Sequence, residues 1–247
     1  MIYKTFHLID MKLIALLLVL NFLATPLLWA GPGDSFSPSP APLGSTVNWA
    51  RLVTPNEWNR HRDNDPMLVS FIKTRTSLNL EPTCKSAHPD DLRELCAYPL
   101  IFANWINELK DPTQLANVRE YLARGGFLFV DACVNRDFVP DPDVWLRDTG
   151  TCLEKIAPGH ELRPLSNEHP IYTGFFTLKH RPPHAYQDGI VDPRWAKHPT
   201  YGVFMQDRMV AIISLNGIQC ATGQTPPEVR QDRMKLVVNI YVYAMTQ

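Results

Sequence analysis

The chain reads as a single α/β domain of three layers, with a parallel or mixed sheet and helices on both faces. Three observations lead there. A stretch from Asp111 to the Gly125-Gly126 pair carries a helix pattern, with Leu115, Val118 and Leu122 as its apolar stripe. A run apolar at every position, Phe127-Leu128-Phe129-Val130, follows at once. A second short apolar run, Tyr98-Pro99-Leu100-Ile101-Phe102-Ala103, precedes the helix. Strand, helix, strand is a crossover unit whose strands lie parallel in one sheet. A strand apolar on both faces belongs in a sheet that helices cover on both sides.

The ends of that helix are written in the sequence. Asp111-Pro112-Thr113-Gln114 places an acceptor at the N-cap, a proline in the first turn and a glutamine at the reciprocal capping position. Gly125-Gly126 supplies the left-handed residue that ends it. Before this unit, Val47–Val53 reads as a first strand. Asp65-Pro66 then opens a helix with Leu68, Val69, Ile72 and Thr76 at helical spacing. Residues 82–96 are polar and loop-like, with one helical turn near Asp90–Leu95. Beyond the central unit, a helix is expected near Asp143–Ile156. Residues 157–200 are loop-rich and hold five of the eight histidines. Tyr201–Leu215 has strand character, with a turn at Gln206-Asp207-Arg208. A helix from about Glu228 closes the chain, with Leu236, Ile240, Tyr243 and Ala244 on one face.

The 247 residues are 45% hydrophobic and 20% charged, an ordinary globular balance. Lys+Arg number 24 against Asp+Glu 25, so no basic excess exists to attract nucleic acid. The one long apolar run lies near the start. Lys12 precedes Leu13-Ile14-Ala15-Leu16-Leu17-Leu18-Val19-Leu20, and Pro26 and Ala30 follow before Gly31. A basic residue, an apolar core, a breaker and a small residue make a secretory signal, expected to be cleaved after Ala30. Met11 is an alternative start. Residues 31–46, rich in proline, glycine and serine, read as a linker, and residues 47–247 as the domain. The expected address is the periplasm or the extracellular space, with membrane contact only through the signal segment if it stays uncleaved.

Export permits disulfides. Five cysteines, Cys84, Cys96, Cys133, Cys152 and Cys220, lie beyond the signal. Cys84 and Cys96 flank a short polar stretch and are the expected bridge. No CxxC or zinc-like spacing occurs, so neither metal nor cofactor is implied. His180 and His184 flank Arg181-Pro182-Pro183, a pattern that fits solvated loop histidines better than metal ligands.

Four stretches, read in order, carry a resemblance. They are Tyr98-Pro99-Leu100-Ile101; Tyr121-Leu122-Ala123-Arg124-Gly125-Gly126-Phe127-Leu128-Phe129-Val130-Asp131; Glu168-His169-Pro170-Ile171-Tyr172; and Asp207-Arg208 followed by Val210-Ala211-Ile212-Ile213-Ser214. Together with Val238–Ala244 they resemble the bacterial domain of unknown function family 4159. The resemblance implies a glutamine amidotransferase-like, that is flavodoxin-like, fold. It implies no activity, because the family has none assigned.

Polar residues just past the carboxyl end of a buried parallel strand sit where open α/β sheets hold ligands. This singles out Asp131, Cys133 and Asp137, with Arg208 as a further ligand-binding candidate. In catalytic relatives of the implied fold, the nucleophile is a cysteine at a strand end. Cys133 occupies about that place, with His169 as its candidate base and Glu168 beside it. The sequence Val130-Asp131-Ala132-Cys133-Val134 lacks the glycines that a strained elbow needs. The first expectation is therefore a non-catalytic domain of the cell envelope that binds a small ligand or an envelope protein. A cysteine-dependent hydrolase or amidotransferase-like enzyme using Cys133 and His169 is the alternative, and a structural or assembly protein the second alternative.

Overall fold

The sheet is built from a computed structural model that describes residues 46–56, 58–132, 141–183, 186–187, 190–219 and 227–247. All of them belong to the unit Ala41–Gln247. Strands are β1 (Thr46–Val47), β2 (Ala50–Leu52), β3 (Asn79–Leu80), β4 (Lys85–Ala87), β5 (Leu100–Ala103), β6 (Phe127–Asp131), β7 (Glu161–Pro164), β8 (Tyr186–Gln187), β9 (Ile190–Val191), β10 (Tyr201–Met205) and β11 (Arg208–Ser214). Helices are α1 (Asp65–Arg75), α2 (Leu92–Leu95), α3 (Pro112–Ala123), α4 (Pro142–Ile156), α5 (Pro170–Thr173), α6 (Pro193–Ala196) and α7 (Pro227–Thr246).

The main sheet has the order β4-β2-β5-β6-β11-β10-β7. The first five strands are parallel, and β10 and β7 add an antiparallel edge. Numbered by their own succession, the parallel strands run 2-1-3-4-5. The fold is mixed α/β with a mostly parallel central sheet, as the crossover unit requires.

Alternation along the strands divides the core in two. Ile101, Ala103, Leu128, Val130, Ala211 and Ile213 pack with Leu115, Val118 and Leu122 of α3 and with Trp145 and Leu153 of α4. Leu100, Phe102, Phe127, Phe129 and Ile212 pack with Leu68, Val69 and Ile72 of α1 and with Leu236 and Ile240 of α7. Both faces of the sheet are thus covered. Phe129 is fully buried, with the Phe102 ring edge-on at 5.5 Å.

The α3 N-cap forms as read: Asp111 accepts the N–H groups of Thr113 at 2.8 Å and Gln114 at 3.1 Å. The reciprocal half does not. The Gln114 amide instead donates to the Asp90 carboxylate, tying α3 to the turn before α2. Gly125 takes φ of 100°, and Gly126 admits Tyr121: a Cβ there would lie 2.3 Å from the ring. The Tyr121 hydroxyl accepts the Phe127 N–H at 3.0 Å, which locks the end of α3 to the start of β6.

Other expectations change. The single strand over Val47–Val53 divides, because Val47 accepts from Glu81 while Trp49 accepts from Lys85, so β1 pairs with β3 and β2 enters the main sheet. The polar stretch before α2 contains the edge strand β4. Its three residues are too few to show an alternation. The Cys84–Cys96 bridge is not formed: both are free thiols. Cys84 packs on the α1/α7 face, whereas Cys96 caps α2, whose Leu95 belongs to the opposite core. Among the described residues, no helix is long and apolar enough to cross a membrane.

Candidate functional site

Two registers place polar side chains in a row. Ala103 pairs with Val130, and Asp131 pairs with Ser214. Asn104, one residue past β5, therefore stands beside Asp131, and Asp131 beside Ser214. Each lies two positions beyond a residue of the α1/α7 core (Phe102, Phe129, Ile212), so by the period of two all three face that side. Arg51, in register with Phe102, faces the same way one layer lower. The apolar core between the sheet and α1/α7 is thus topped by a polar layer at the carboxyl edge.

Gln219 ties the layer together. Its backbone N–H donates to Asp131 Oδ2 at 2.8 Å, its side-chain nitrogen donates to Asn104 Oδ1 at 2.8 Å, and its Oε1 accepts from Arg51 Nε at 3.3 Å. Arg51 also grips Asp65, the first residue of α1, through both terminal nitrogens, one of them at 2.7 Å from Oδ2. Burial works against the Arg51 charge, but the Asp65 hydrogen bonds together with the charges of Cys84 and Asp65 outweigh it and raise its pKa.

Asp131 is only 2% exposed. Desolvation pushes its carboxyl up to about 6, against the opposing pull of the Gln219 and Ile218 N–H groups, the Ser214 hydroxyl and His61. Its Oδ1 has no hydrogen-bond partner. Asn104 Nδ2 and both side-chain atoms of the fully buried Asn216 lack partners as well. Buried polar atoms are satisfied in nearly every folded protein, by protein, water or ligand. Four such atoms lie at the ends of three neighbouring strands. A cavity of about 20 Å³, lined by Arg51, Asp65, Gln219 and Arg233 and by Leu68, Phe102 and Val237 of the core, lies under the Arg51–Gln219 contact and has room for one water-sized group.

The remaining site candidates lie elsewhere. Arg208 opens β11, at the amino edge, and donates to the Leu122 carbonyl at the end of α3. His169 is the N-cap of α5, its Nδ1 accepting the Ile171 N–H at 3.3 Å. Its ring lies 5.4 Å from Tyr243, which in turn meets Phe127, the first residue of β6. Desolvation lowers its pKa. His169 and Arg208 are thus at the amino edge and Asp131 at the carboxyl edge. Cys133 and Asp137 lie outside the described residues, as does His184. His180 instead pairs with Asp232, Nδ1 to Oδ2 at 2.9 Å. Among the described residues, no group of His, Cys, Asp and Glu could hold a metal ion. Burial pushes the Cys84 thiol up to about 12 and Cys152 to about 11, so neither is a poised nucleophile.

A larger open groove of about 620 Å³ sits at the amino edge, lined by Val47, Leu78, Pro99, Tyr241 and Met245 among others, with no carboxylate, histidine or basic side chain. Its polar lining is neutral and comes from Thr46, Asn48, Thr76, Ser77 and Thr246.

Arg51, Asp65, Asn104, Asn216 and Gln219 were not singled out from the sequence. The rule that found Asp131 applies equally to Asn104 and Asn216, polar residues just past apolar runs. Arg51 also signals itself, as a charge amid Trp49-Ala50-Arg51-Leu52. Residues 48–245 match the family model described as Domain of unknown function (DUF4159). No curated protein matches the chain.

Proposed function

We propose, for a chain that belongs to the DUF4159 family, that it is a non-catalytic ligand-binding domain whose site is the polar layer at the carboxyl edge. The observation that carries the reading is the set of unpartnered buried atoms on Asn104, Asp131 and Asn216. Strand order supports it. The sequence 2-1-3-4-5 is that of flavodoxin-like sheets, which bind ligands where the order reverses, between the first and third strands. Here those strands are β2 and β5, and Arg51 and Asn104 flank that point, joined through Gln219. The same order is in keeping with the glutamine amidotransferase-like relationship.

The domain works, on this reading, in the bacterial cell envelope. The tripartite signal ahead of Gly31 supports export. N-terminal sequencing of envelope-purified protein should return Gly31, and a retained Met1 or Met11 would remove the envelope from the proposal. The cysteine-hydrolase alternative draws no support from His169, which caps a turn beside Tyr243.

The binding test is a ¹H–¹⁵N NMR screen of the full chain against small cationic, neutral and anionic polar molecules. A binder should shift the amides of Asn104, Asp131, Asn216 and Gln219 first. Shifts confined to the amino-edge groove, or none with any class, would remove the carboxyl-edge site.

A further inference from the structure

The two most exposed large hydrophobic side chains among the described residues, Phe175 at 51% and Met245 at 56%, both line the 620 Å³ groove at the amino edge. The other three, Met67, Val144 and Leu162, stand on α1, α4 and β7, and none of them lines it. The backbone beside Phe175 is tied down. Phe176 donates its N–H to Asn239 Oδ1 at 2.7 Å, and its carbonyl accepts from Asn239 Nδ2 at 2.7 Å. The Phe175 ring meets the Phe176 ring edge-on at 4.8 Å. Tyr241 and Met245, one helical turn apart on α7, supply a second apolar part of the wall. An aromatic ring held half in water has lost freedom without gaining burial. A ligand that covers it recovers that burial with little further ordering.

The polar part of the wall selects for charge. Thr76 and Thr246 give their hydroxyls to helix carbonyls, and Thr46 accepts from Asn79. The exposed side chains of Asn48 and Ser77 make no hydrogen bond among the described residues, which leaves them for a ligand. An anionic head would face the negative end of the α7 dipole, and a cationic head would find no carboxylate side chain in the lining. A volume of this order is that of pockets that bury drug-sized molecules, whereas a protein partner needs a face of about 800 Å². Beyond the carboxyl-edge reading and independent of it, we propose that the amino-edge groove binds an uncharged amphiphile. Its apolar body lies against Phe175, Tyr241 and Met245, and its hydroxyl or ester head against Asn48 and Ser77.

Octanol is the probe, with octanoate and octylammonium as its charged counterparts and glycerol as a head without the body. Each is titrated into the full chain at neutral pH while the amides of Asn48, Phe175, Val242 and Met245 are followed by NMR. Octanol should bind in saturable fashion and glycerol not at all. The two ions should bind at least about tenfold more weakly, because their heads leave water without a counter-charge. Phe175→Ser, a change at an exposed position checked by its retained spectrum elsewhere, should weaken octanol by at least about tenfold. Met245→Asp puts a carboxylate into the wall and should reverse the order, so that octylammonium binds better than octanol. Either ion matching octanol in the parent, or an unchanged order in Met245→Asp, would overturn the uncharged assignment. Octanol binding that survives Phe175→Ser intact would remove the groove as its place, and no saturable octanol binding would sink the proposal outright. So would a concentration-dependent dimer in sedimentation that Phe175→Ser dissociates, because a second copy would then cover the groove. Shifts at Asn104, Asp131, Asn216 and Gln219 report separately on the carboxyl-edge site, so neither reading falls with the other.

Discussion

Replacing Asp131 by asparagine should make the protein more stable at neutral pH and leave it nearly unchanged in acid. The folded-state carboxyl is raised from 3.8 to about 6, chiefly because the group is desolvated. Between those values the native state binds more protons than the unfolded chain, so stability falls as pH rises. The stabilising contribution of the protonated form is full below pH 3.8 and lost as pH passes through 6. Raising the carboxyl from 3.8 to about 6 corresponds to roughly 3 kcal/mol. Asparagine keeps the shape and still offers an oxygen to the Gln219 N–H, so the variant should remove most of that slope. The assay is urea denaturation of both proteins from pH 4.5 to 7.5. Taking the difference between them cancels the titration of every other group. The variant should gain up to about 3 kcal/mol relative to the parent across that range. A difference that stays flat with pH, or runs the other way, would show that Asp131 is solvated or paired with a cation. Either result would also undercut the ligand site.

Other substitutions test the scaffold that holds the layer. Asp65→Ala leaves the Arg51 charge buried without its carboxylate and should cost about 3–5 kcal/mol in denaturant melts; a loss under about 1 kcal/mol would mean that the pair is solvated. Phe129→Ala empties a fully buried site between the sheet and α1/α7 and should cost about 3–5 kcal/mol, a value that a surface strand could not give. Gly126→Ala puts a methyl into the Tyr121 ring and should cost about 1–3 kcal/mol. In the same experiment, Tyr121→Phe should cost about 1 kcal/mol by removing one buried hydrogen bond while the Phe127 N–H keeps the Pro99 carbonyl at 3.2 Å, and a neutral result for both would dissolve the lock between α3 and β6.

Much of the scaffold was legible in the residues because its signals are local. Asp111-Pro112 states where α3 starts and Gly125 where it stops, since caps and left-handed turns are satisfied within a few residues of chain. Phe127–Val130 announces a doubly covered strand because continuous apolarity suits only that environment. Asp131 was found by the same logic, as the first polar residue past such a strand. The site itself was not legible, because its members come from positions as far apart as Arg51 and Gln219, and only strand order brings them together. Register decides that Asn104, Asp131 and Ser214 share one face, and register is a relation between segments. It also separates His169 and Arg208 from Asp131 by the length of the strands, although all of them look like equivalent polar candidates along the chain. The partner of a capping residue is equally nonlocal: Gln114 occupies a capping position yet bonds Asp90, because α2 docks against α3. Local chemistry thus determined the elements and their ends. Which polar groups meet, and which are buried without partners, was decided by how the sheet is ordered.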